Sequence, residues 1–274
     1  MIDRDLIKRA LAEDLQGGED ITSVATVSGS EKVVADFVSR KNGVVAGIDM
    51  AHAVLEEVGL TDISVLVKDG TDVKAGDVLM TVRGDTRAIL LAERTALNFL
   101  GHLSGIATLT RTWVDAIAGT SCEIRDTRKT TPGMRLLEKY AVRMGGGTNH
   151  RMSLSDAALI KDNHIAAAGG VAQAFSKVRE KFPTSEIEIE VDTLDQLREV
   201  LPLKPDLVLL DNMSPAQCAE AVSIVAGATK LEASGGISLE NAKAYAVTGV
   251  NYLAIGALTH SAPVFDIGLD LRAE

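Results

Sequence analysis

The chain contains 274 residues, 46% of them apolar, which is enough for one large domain or two ordinary domains with a sizeable core. Its net charge of −10 argues against nucleic acid and anionic membranes as partners. Aromatic residues make up only 3%, so the stacking surfaces that single-strand binders use are lacking. The two cysteines, Cys122 and Cys218, provide neither a disulfide framework nor the spacing of a zinc site.

No segment predicts secretion or a membrane span. The first residues, MIDRDLIKR, are interrupted by acids and are not followed by the apolar run of a signal peptide. The most apolar run, AILLAERTALNFLGHLSG, contains Glu93 and Arg94 and would be costly to place across a bilayer. We therefore expect a soluble protein of a reducing compartment, the cytoplasm.

The first hundred residues predict a small α+β domain. Apolar residues on one face predict a helix from Asp3 to Leu15, which GGEDITS interrupts. Strand-like residues follow at 31–40, and residues 63–84 read as a hairpin-rich unit with turns at Asp-Gly and Ala-Gly. The sequence GIDMAHAVLEEVG between them predicts a further helix.

A long helical stretch is predicted from Thr86 to about Ala118, with a break or kink near Gly101 and Gly105. Arg94 stands out in it because its neighbours are mostly apolar. The adjacent Glu93 is expected to point elsewhere, since neighbouring positions do not share a helix face. A structural arginine tied to another helix and a functional arginine are equally compatible with this pattern.

From residue 121 onward the pattern alternates between strand and helix. The predicted strands are 121–126, 157–161, 186–191, 206–210, 230–234 and 251–255. The predicted helices are 133–144, 169–181, 193–200, 214–225 and 238–247. Such alternation is typical of parallel strands with right-handed crossovers, and hence of an α/β barrel or a doubly wound sheet.

The stretch 125–164 is rich in positive charge, with eight lysines and arginines in an otherwise acidic chain. Arg128 and Lys129 precede the helix predicted after Pro132, where the helix dipole disfavours cations. Cations at this place make sense if a multiply charged anion binds between them and the helix end. A solvated basic loop is an equally good explanation of the charge alone.

Every predicted strand of this alternating region ends in polar residues or glycine. The residues are Asp126, Arg128 and Lys129; Lys161, Asp162, Asn163 and His164; Glu190 and Asp192; Asp211 and Asn212; Ser234, Gly235 and Gly236; and Gly256 and Ala257. A single aspartate at a strand end is usually a turn residue or a helix cap. Six strands that agree predict a site, because catalytic groups collect at the carboxyl ends of barrel strands.

The composition of these ends indicates an anionic ligand with a metal ion. Cations suited to carboxylates and phosphates are Arg128, Lys129, His150, Arg151 and Lys161. Glu190 and Asp211 supply oxygen ligands of the kind that Mg²⁺ takes beside substrate phosphates. The turns in SGGI and IGA present backbone N–H groups to a phosphate. No Ser-His-Asp order, P-loop or GxGxxG motif supports acyl transfer, NTP hydrolysis or dinucleotide binding.

Several long motifs resemble the quinolinate phosphoribosyltransferase family (carboxylating nicotinate-nucleotide pyrophosphorylases). They are DTRKTTPGMR, GGGTNHRMSLSDAALIKDNH, EIEVDTL, LLDNMS and EASGGI, in that order. The resemblance covers nearly the whole chain and implies an α/β protein. It implies an N-terminal α+β open-sandwich domain at 1–105 and an incomplete α/β barrel of about six parallel strands at 106–260. A C-terminal tail at 261–274 is expected to return to the N-terminal domain.

The resemblance also implies an activity. Members of the family transfer phosphoribosyl from 5-phosphoribosyl-1-pyrophosphate to quinolinate, giving nicotinate mononucleotide, pyrophosphate and CO₂ in de novo NAD biosynthesis. The implied cofactor is Mg²⁺, bound with the donor. The implied assembly is a homodimer or larger oligomer with shared active sites.

Residue roles follow from the same resemblance, motif by motif. Around the quinolinate carboxylates it places Arg128, His150, Arg151 and Lys161, with Arg94 from the partner subunit. Lys129 contacts the phosphoribosyl donor, and Glu190 and Asp211 hold its Mg²⁺ and ribose. The 5-phosphate region is formed by Ser234, Gly235, Gly236 and Gly256.

Three other functions remain to be distinguished. One is a related phosphoribosyltransferase that acts on a monocarboxylate such as nicotinate, although at least four cations favour a dicarboxylate. Another is a Schiff-base lyase on an α/β barrel, with Lys161 as the amine. The third is a metabolite-binding protein without catalytic activity.

Overall fold

The computed structural model describes residues 2–29 and 31–272. These residues group into two compact units. The first comprises the described residues of Met1–Arg111, Leu136–Gly146 and Ser261–Glu274, and the second comprises Thr112–Arg135 and Gly147–His260. The segment Leu136–Gly146 thus groups with the first unit, whereas the sequence places it among the elements of the barrel.

The described residues form twelve strands and eleven α-helices, numbered in chain order. The strands are β1 Lys32–Ser39, β2 Gly43–Val44, β3 Asp62–Val65, β4 Asp72–Val73, β5 Val78–Asp85, β6 Glu123–Arg125, β7 Ala158–Ile160, β8 Ile187–Val191, β9 Leu207–Asp211, β10 Lys230–Ser234, β11 Tyr252–Ala254 and β12 Ile267–Arg272. The helices are α1 Arg4–Leu15, α2 Ile21–Thr26, α3 Ile48–Glu57, α4 Thr86–Ala116, α5 Arg135–Met144, α6 Asp162–Ala168, α7 Val171–Lys181, α8 Leu194–Val200, α9 Pro215–Val225, α10 Ala242–Ala246 and α11 Ala257–His260. A 3-10 helix covers Leu201–Leu203.

The first unit contains a four-stranded antiparallel sheet in the order β12-β1-β5-β3 and a two-stranded sheet of β2 and β4. Strand β12 pairs with β1 from Ser39 opposite Ile267 to Val34 opposite Arg272. Phe37 of β1 is fully buried and contributes to the core. This mixture of sheet and helix confirms the predicted α+β character.

Helix α4 runs without interruption, so the glycines do not break it. Those glycines serve a close approach of the chain instead. A Cβ on Gly105 would lie 2.1 Å from the carbonyl oxygen of Pro263, and one on Gly101 would lie 2.9 Å from that of Phe265. The missing side chains let the C-terminal segment lie directly against the helix. The structure describes no helix both long and apolar enough to cross a bilayer.

The second unit contains a six-stranded parallel sheet in the order β6-β11-β10-β9-β8-β7. The last strand of the series, β11, therefore lies beside the first, β6, as it does in a barrel. Strands β6 and β7, which a closed barrel would pair, are the two edges of the sheet. This order confirms the predicted open α/β barrel, and each strand lies within two residues of its predicted bounds.

Two short helices were not predicted. The segment GGEDITS ends α1 as expected, and Ile21–Thr26 then forms α2, capped by the Asp20 carboxylate. Asp162–Ala168, directly after β7, forms helix α6. Short helices of this kind lack the apolar period that reveals longer ones.

Candidate active site

A cavity of about 290 Å³ lies at the carboxyl ends of the parallel strands of the second unit. It is lined mainly by cations and by residues of the strand ends. They are Thr127, Arg128, Lys129, His150, Arg151, Leu159, Lys161, Leu209, Glu232, Ser234 and Ala254. The structure thus brings together all five basic residues that the sequence assigned to an anion site within this unit.

Strand β6 positions the first two of these cations. Asp126, fully buried at the end of β6, accepts the backbone N–H of His150 at 2.8 Å and the side-chain amide of Asn149 at 2.5 Å. The loop that carries Arg128 and Lys129 is held from another side, since the Thr259 hydroxyl donates to the Lys129 carbonyl at 2.9 Å. Two distant segments are thereby fixed at one edge of the cavity.

The cations are close enough to affect one another. Burial lowers the pKa of Arg151, and the positive charge of Arg128 lowers it further. The buried Nε of Arg128 has no hydrogen-bond partner among the described residues. This unpartnered donor in a cluster of cations would be satisfied by an oxygen of a carboxylate or phosphate.

The ends of β8 and β9 supply carboxylates beside these cations. Glu190 of β8 is buried, and its Oε2 lies 3.0 Å from Lys161 Nζ. Burial raises the pKa of Asp211 at the end of β9, and the carboxylates of Glu190 and Asp192 raise it further. Glu190 and Asp211 therefore lie near enough to repel each other when both are charged.

Asp211 is not a helix cap. The following helix, α9, is capped by Ser214, whose side chain accepts the backbone N–H of Gln217 in a capping box. Asp211 instead accepts the side-chain amide of Asn212 at 2.6 Å. Its carboxylate is left available for a ligand at the strand end.

The pair of Glu190 and Asp211 fits a magnesium ion. Mg²⁺ is held in proteins by one or two carboxylates together with substrate phosphates and water. A cation between the two carboxylates would relieve the repulsion that raises the pKa of Asp211. Oxygen-only donors of this kind favour a hard cation over a soft one.

The glycines after β10 and β11 are required by their surroundings. Gly235 has φ +84°, and a Cβ there would lie 2.1 Å from Asn212 Oδ1. Gly236 has φ +64° with open space beside it. A Cβ on Gly256 would come within 3.1 Å of the Lys129 side chain. Backbone amides in such loops are accessible to a phosphate group.

A buried ionic network beneath the cations was missed by the sequence analysis. His150 Nε2 lies 2.8 Å from Glu188 Oε2, and Arg125 donates to Glu232 Oε2 at 2.9 Å. Burial raises the pKa of Glu188 to about 7, and burial together with Glu188 raises that of Glu232 to about 7. The available signal was acidic residues alternating with apolar ones in the buried strands IEIEV and KLEAS.

Arg94 lies on α4 in the first unit, with 71% of its side chain exposed. Its guanidinium pairs with Glu93 Oε1 at 3.0 Å, so the expectation that Glu93 points elsewhere is wrong. Long side chains can meet from adjacent positions even when their Cβ atoms diverge. Arg94 thus pairs within its own helix, and most of its side chain is accessible.

Comparison with known sequences assigns the family. The model of the quinolinate phosphoribosyl transferase N-terminal domain matches residues 20–104, and that of the C-terminal domain matches residues 106–270. The chain belongs to the quinolinate phosphoribosyltransferase family. The resemblance seen in the sequence motifs is confirmed by matches that together span most of the chain.

Relatives and solved structures agree with this family. The chain is 54% identical to a Mycobacterium leprae protein named nicotinate-nucleotide pyrophosphorylase (carboxylating), covering 98% of this chain and 96% of that one. It superimposes on the nicotinate-nucleotide pyrophosphorylase of Ehrlichia chaffeensis with TM-score 0.94 and 40% identity, covering 98% of each chain. The corresponding structure from Francisella tularensis gives TM-score 0.94 and 40% identity, covering 98% of this chain and 95% of the other.

Proposed function

We propose that the chain transfers the phosphoribosyl group of 5-phosphoribosyl-1-pyrophosphate to quinolinate, releasing pyrophosphate and CO₂ and giving nicotinate mononucleotide. This is the reaction for which its family is named, and its product serves de novo NAD biosynthesis. The observation that carries the proposal is the cluster of Arg128, Arg151 and Lys161 around one cavity, beside the carboxylates of Glu190 and Asp211.

The cation cluster supports a dicarboxylate acceptor. Arg128, Arg151 and Lys161, together with His150, line the same small cavity. One carboxylate needs a single guanidinium fork, whereas two adjacent carboxylates need several cations to offset their loss of hydration. The mutual repulsion within the cluster also makes a singly charged acceptor such as nicotinate a poorer match.

The donor occupies the neighbouring strand ends in this proposal. Its phosphates face Lys129 and the glycine loops at Ser234–Gly236 and Gly256, where the positive φ of Gly235 and Gly236 is of the kind that directs backbone N–H groups at a phosphate. Glu190 and Asp211 face the ribose and hold Mg²⁺. The ion, when bound, neutralises charge on the pyrophosphate leaving group.

The reaction needs little from the protein beyond position and charge. The pyridine nitrogen attacks the anomeric carbon as the bond to the pyrophosphate oxygen breaks. Positive charge develops on the sugar, as in glycosidic cleavage, and the carboxylates of Glu190 and Asp211 stabilise it. The electron pair left on the ring carbon when CO₂ leaves is stabilised by the adjacent positively charged nitrogen, and solvent then protonates that carbon. No protein nucleophile is required.

The shared-site dimer is part of the proposal. Arg94, accessible on α4 of the first unit, would complete the acceptor site of a second copy. Mixing the Arg94→Ala and Arg128→Ala proteins, each inactive alone, should restore activity through hybrids with one intact site. If activity did not recover although subunit exchange was proven, shared active sites would be contradicted. We further propose that this dimer acts in the cytoplasm.

The acceptor is tested by pyrophosphate release with quinolinate or nicotinate as the second substrate. We expect turnover with quinolinate and none with nicotinate. Preference for nicotinate would point to the monocarboxylate transferases, and ligand binding without release would point to a binding protein. Trapping of Lys161 by borohydride with a carbonyl compound would point to a Schiff-base lyase. The ion pair of Lys161 with Glu190 argues against that reaction, because a paired ammonium has no free electron pair.

A further inference from the structure

His150 is enclosed by hydrogen-bonding partners although it lines the acceptor cavity. Only 6% of the surface of His150 is exposed. Its backbone N–H is held by Asp126, and its ring meets the backbone on one side and Glu188 on the other. The ring is therefore fixed before any ligand arrives.

The partners of the ring define its tautomer. The backbone N–H of Arg151 donates to His150 Nδ1 at 2.7 Å. A backbone amide can only donate, so Nδ1 must carry a lone pair and not a proton. The single ring proton then resides on Nε2, which lies 2.8 Å from Glu188 Oε2 and donates to it.

The carboxylate that accepts this proton is itself held in the buried network. Glu188 is 5% exposed and Glu232 is fully buried. Glu232 Oε1 lies 3.7 Å from His150 Nε2, and its other oxygen binds Arg125 at 2.9 Å. The Arg125 guanidinium lies 4.5 Å from the centre of the Tyr252 ring, which fixes it in turn.

We infer that Glu188, Glu232 and Arg125 are positioning residues that hold His150 as its neutral Nε2–H tautomer, and that His150 thereby fixes the Arg151 peptide. The Arg151 guanidinium is held separately, since its Nη1 donates to the Ala157 carbonyl at 2.8 Å. Both ring nitrogens are then occupied by the protein. On this reading the acceptor's carboxylates are bound by Arg128, Arg151 and Lys161, while His150 acts through Arg151. The inference rests on the acceptor site proposed above.

His150, Glu188 and Glu232 also have the geometry of a metal site, since one ligand-type atom from each lies within 4.8 Å of the others. The charges nearby disfavour that use. Arg125 already binds Glu232, and the positive charges of Arg125, Arg151 and Lys161 all act on Glu188. A further cation in this position would be repelled by its neighbours.

The tautomer can be measured directly by ¹⁵N NMR of protein with labelled histidine rings. The His150 signals are assigned by their absence in His150→Asn. We expect the neutral pattern with the proton on Nε2, in the free protein and with quinolinate bound. A doubly protonated ring, or a proton on Nδ1, would overturn the inference. This readout does not depend on turnover, so it stands apart from the test of the proposed reaction.

Two variants of one residue separate positioning from charge pairing. Glu188→Gln keeps an oxygen that can accept the Nε2 proton, whereas Glu188→Leu removes it. We expect Glu188→Leu to raise the KM for quinolinate by roughly tenfold with little change in the KM for the donor. Glu188→Gln should raise the KM for quinolinate far less and should keep the Nε2–H tautomer. An equal rise in the KM for quinolinate in both variants, or an equal rise in the KM for quinolinate and for the donor, would contradict the proposed role.

Discussion

Lys161 and Glu190 join the two halves of the candidate site, with Lys161 Nζ 3.0 Å from Glu190 Oε2 at the ends of the neighbouring strands β7 and β8. Lys161 belongs to the cations assigned to the acceptor, and Glu190 belongs to the carboxylates assigned to the donor. Each therefore offsets the charge of the other across this ion pair.

The first prediction concerns this ion pair. Glu190→Gln removes the charge that offsets Lys161, so the affinity for quinolinate should rise a few-fold while turnover falls sharply. Isothermal titration with quinolinate and steady-state rates measure the two effects. Lys161→Met is the matched control and should weaken quinolinate instead. If Glu190→Gln weakened quinolinate as much, the two groups would not have the separate roles assigned to them.

The guanidinium of Arg128 is expected to matter for its shape as well as its charge. Arg128→Lys keeps the charge but loses the planar fork, so quinolinate binding should weaken by on the order of 1–3 kcal/mol. The affinity for the donor should change much less. Dissociation constants for both substrates provide the comparison, and equal losses would mean that the residue is misassigned.

The carboxylate of Asp211 is predicted to set the Mg²⁺ requirement. Asp211→Asn keeps the size but removes a charge, so half-maximal activity should need more Mg²⁺, with quinolinate affinity nearly unchanged. Ser214→Ala is the control, because it removes the cap of α9 and should cost about 1 kcal/mol of stability without altering the Mg²⁺ curve. Superimposable Mg²⁺ titrations of wild type and Asp211→Asn would remove Asp211 from the metal site.

Glu232 should make stability depend on pH. Burial and the Glu188 carboxylate raise its pKa from the ordinary value of 4.5 to about 7, so the folded state binds its proton more tightly than the unfolded state. This stabilising contribution is fully present below the unfolded pKa and is lost as pH rises through about 7.

Replacement of Glu232 by glutamine should remove that dependence. Between about pH 5 and about pH 8, the free energy of unfolding of the wild type should fall as this contribution is lost. In Glu232→Gln the fall should be smaller, by on the order of 2–3 kcal/mol. Urea denaturation at several pH values measures the slopes. Parallel slopes would show that Glu232 titrates normally in the folded protein.

Much of the candidate site could be predicted because parallel α/β topology sends all strand ends to one edge. Arg128 and Lys161 follow different strands, far apart in sequence, yet their position after a strand was enough to place them together. The pattern of strands and helices predicted the elements and the parallel sheet but left a barrel and a doubly wound sheet open. The family motifs implied the open barrel and the residue roles.

What could not be predicted depends on contacts between distant segments. Gly105 looked like a helix breaker because its contact with Pro263 is invisible in sequence. Glu188 and Glu232 looked like ordinary strand residues because the register that brings their carboxylates to His150 is set by the whole sheet. Burying these carboxylates costs free energy, and only the arrangement of the sheet that brings them to His150 offsets that cost.

The measurement that tests the central claim most directly is the stoichiometry of the products. Quinolinate labelled in the carboxylate adjacent to the nitrogen is incubated with 5-phosphoribosyl-1-pyrophosphate and Mg²⁺, and labelled CO₂ and pyrophosphate are counted together. We predict that they appear in equal amounts and that neither is released when nicotinate replaces quinolinate. Pyrophosphate without CO₂, or release with nicotinate at a comparable rate, would contradict a decarboxylating transfer to a dicarboxylate.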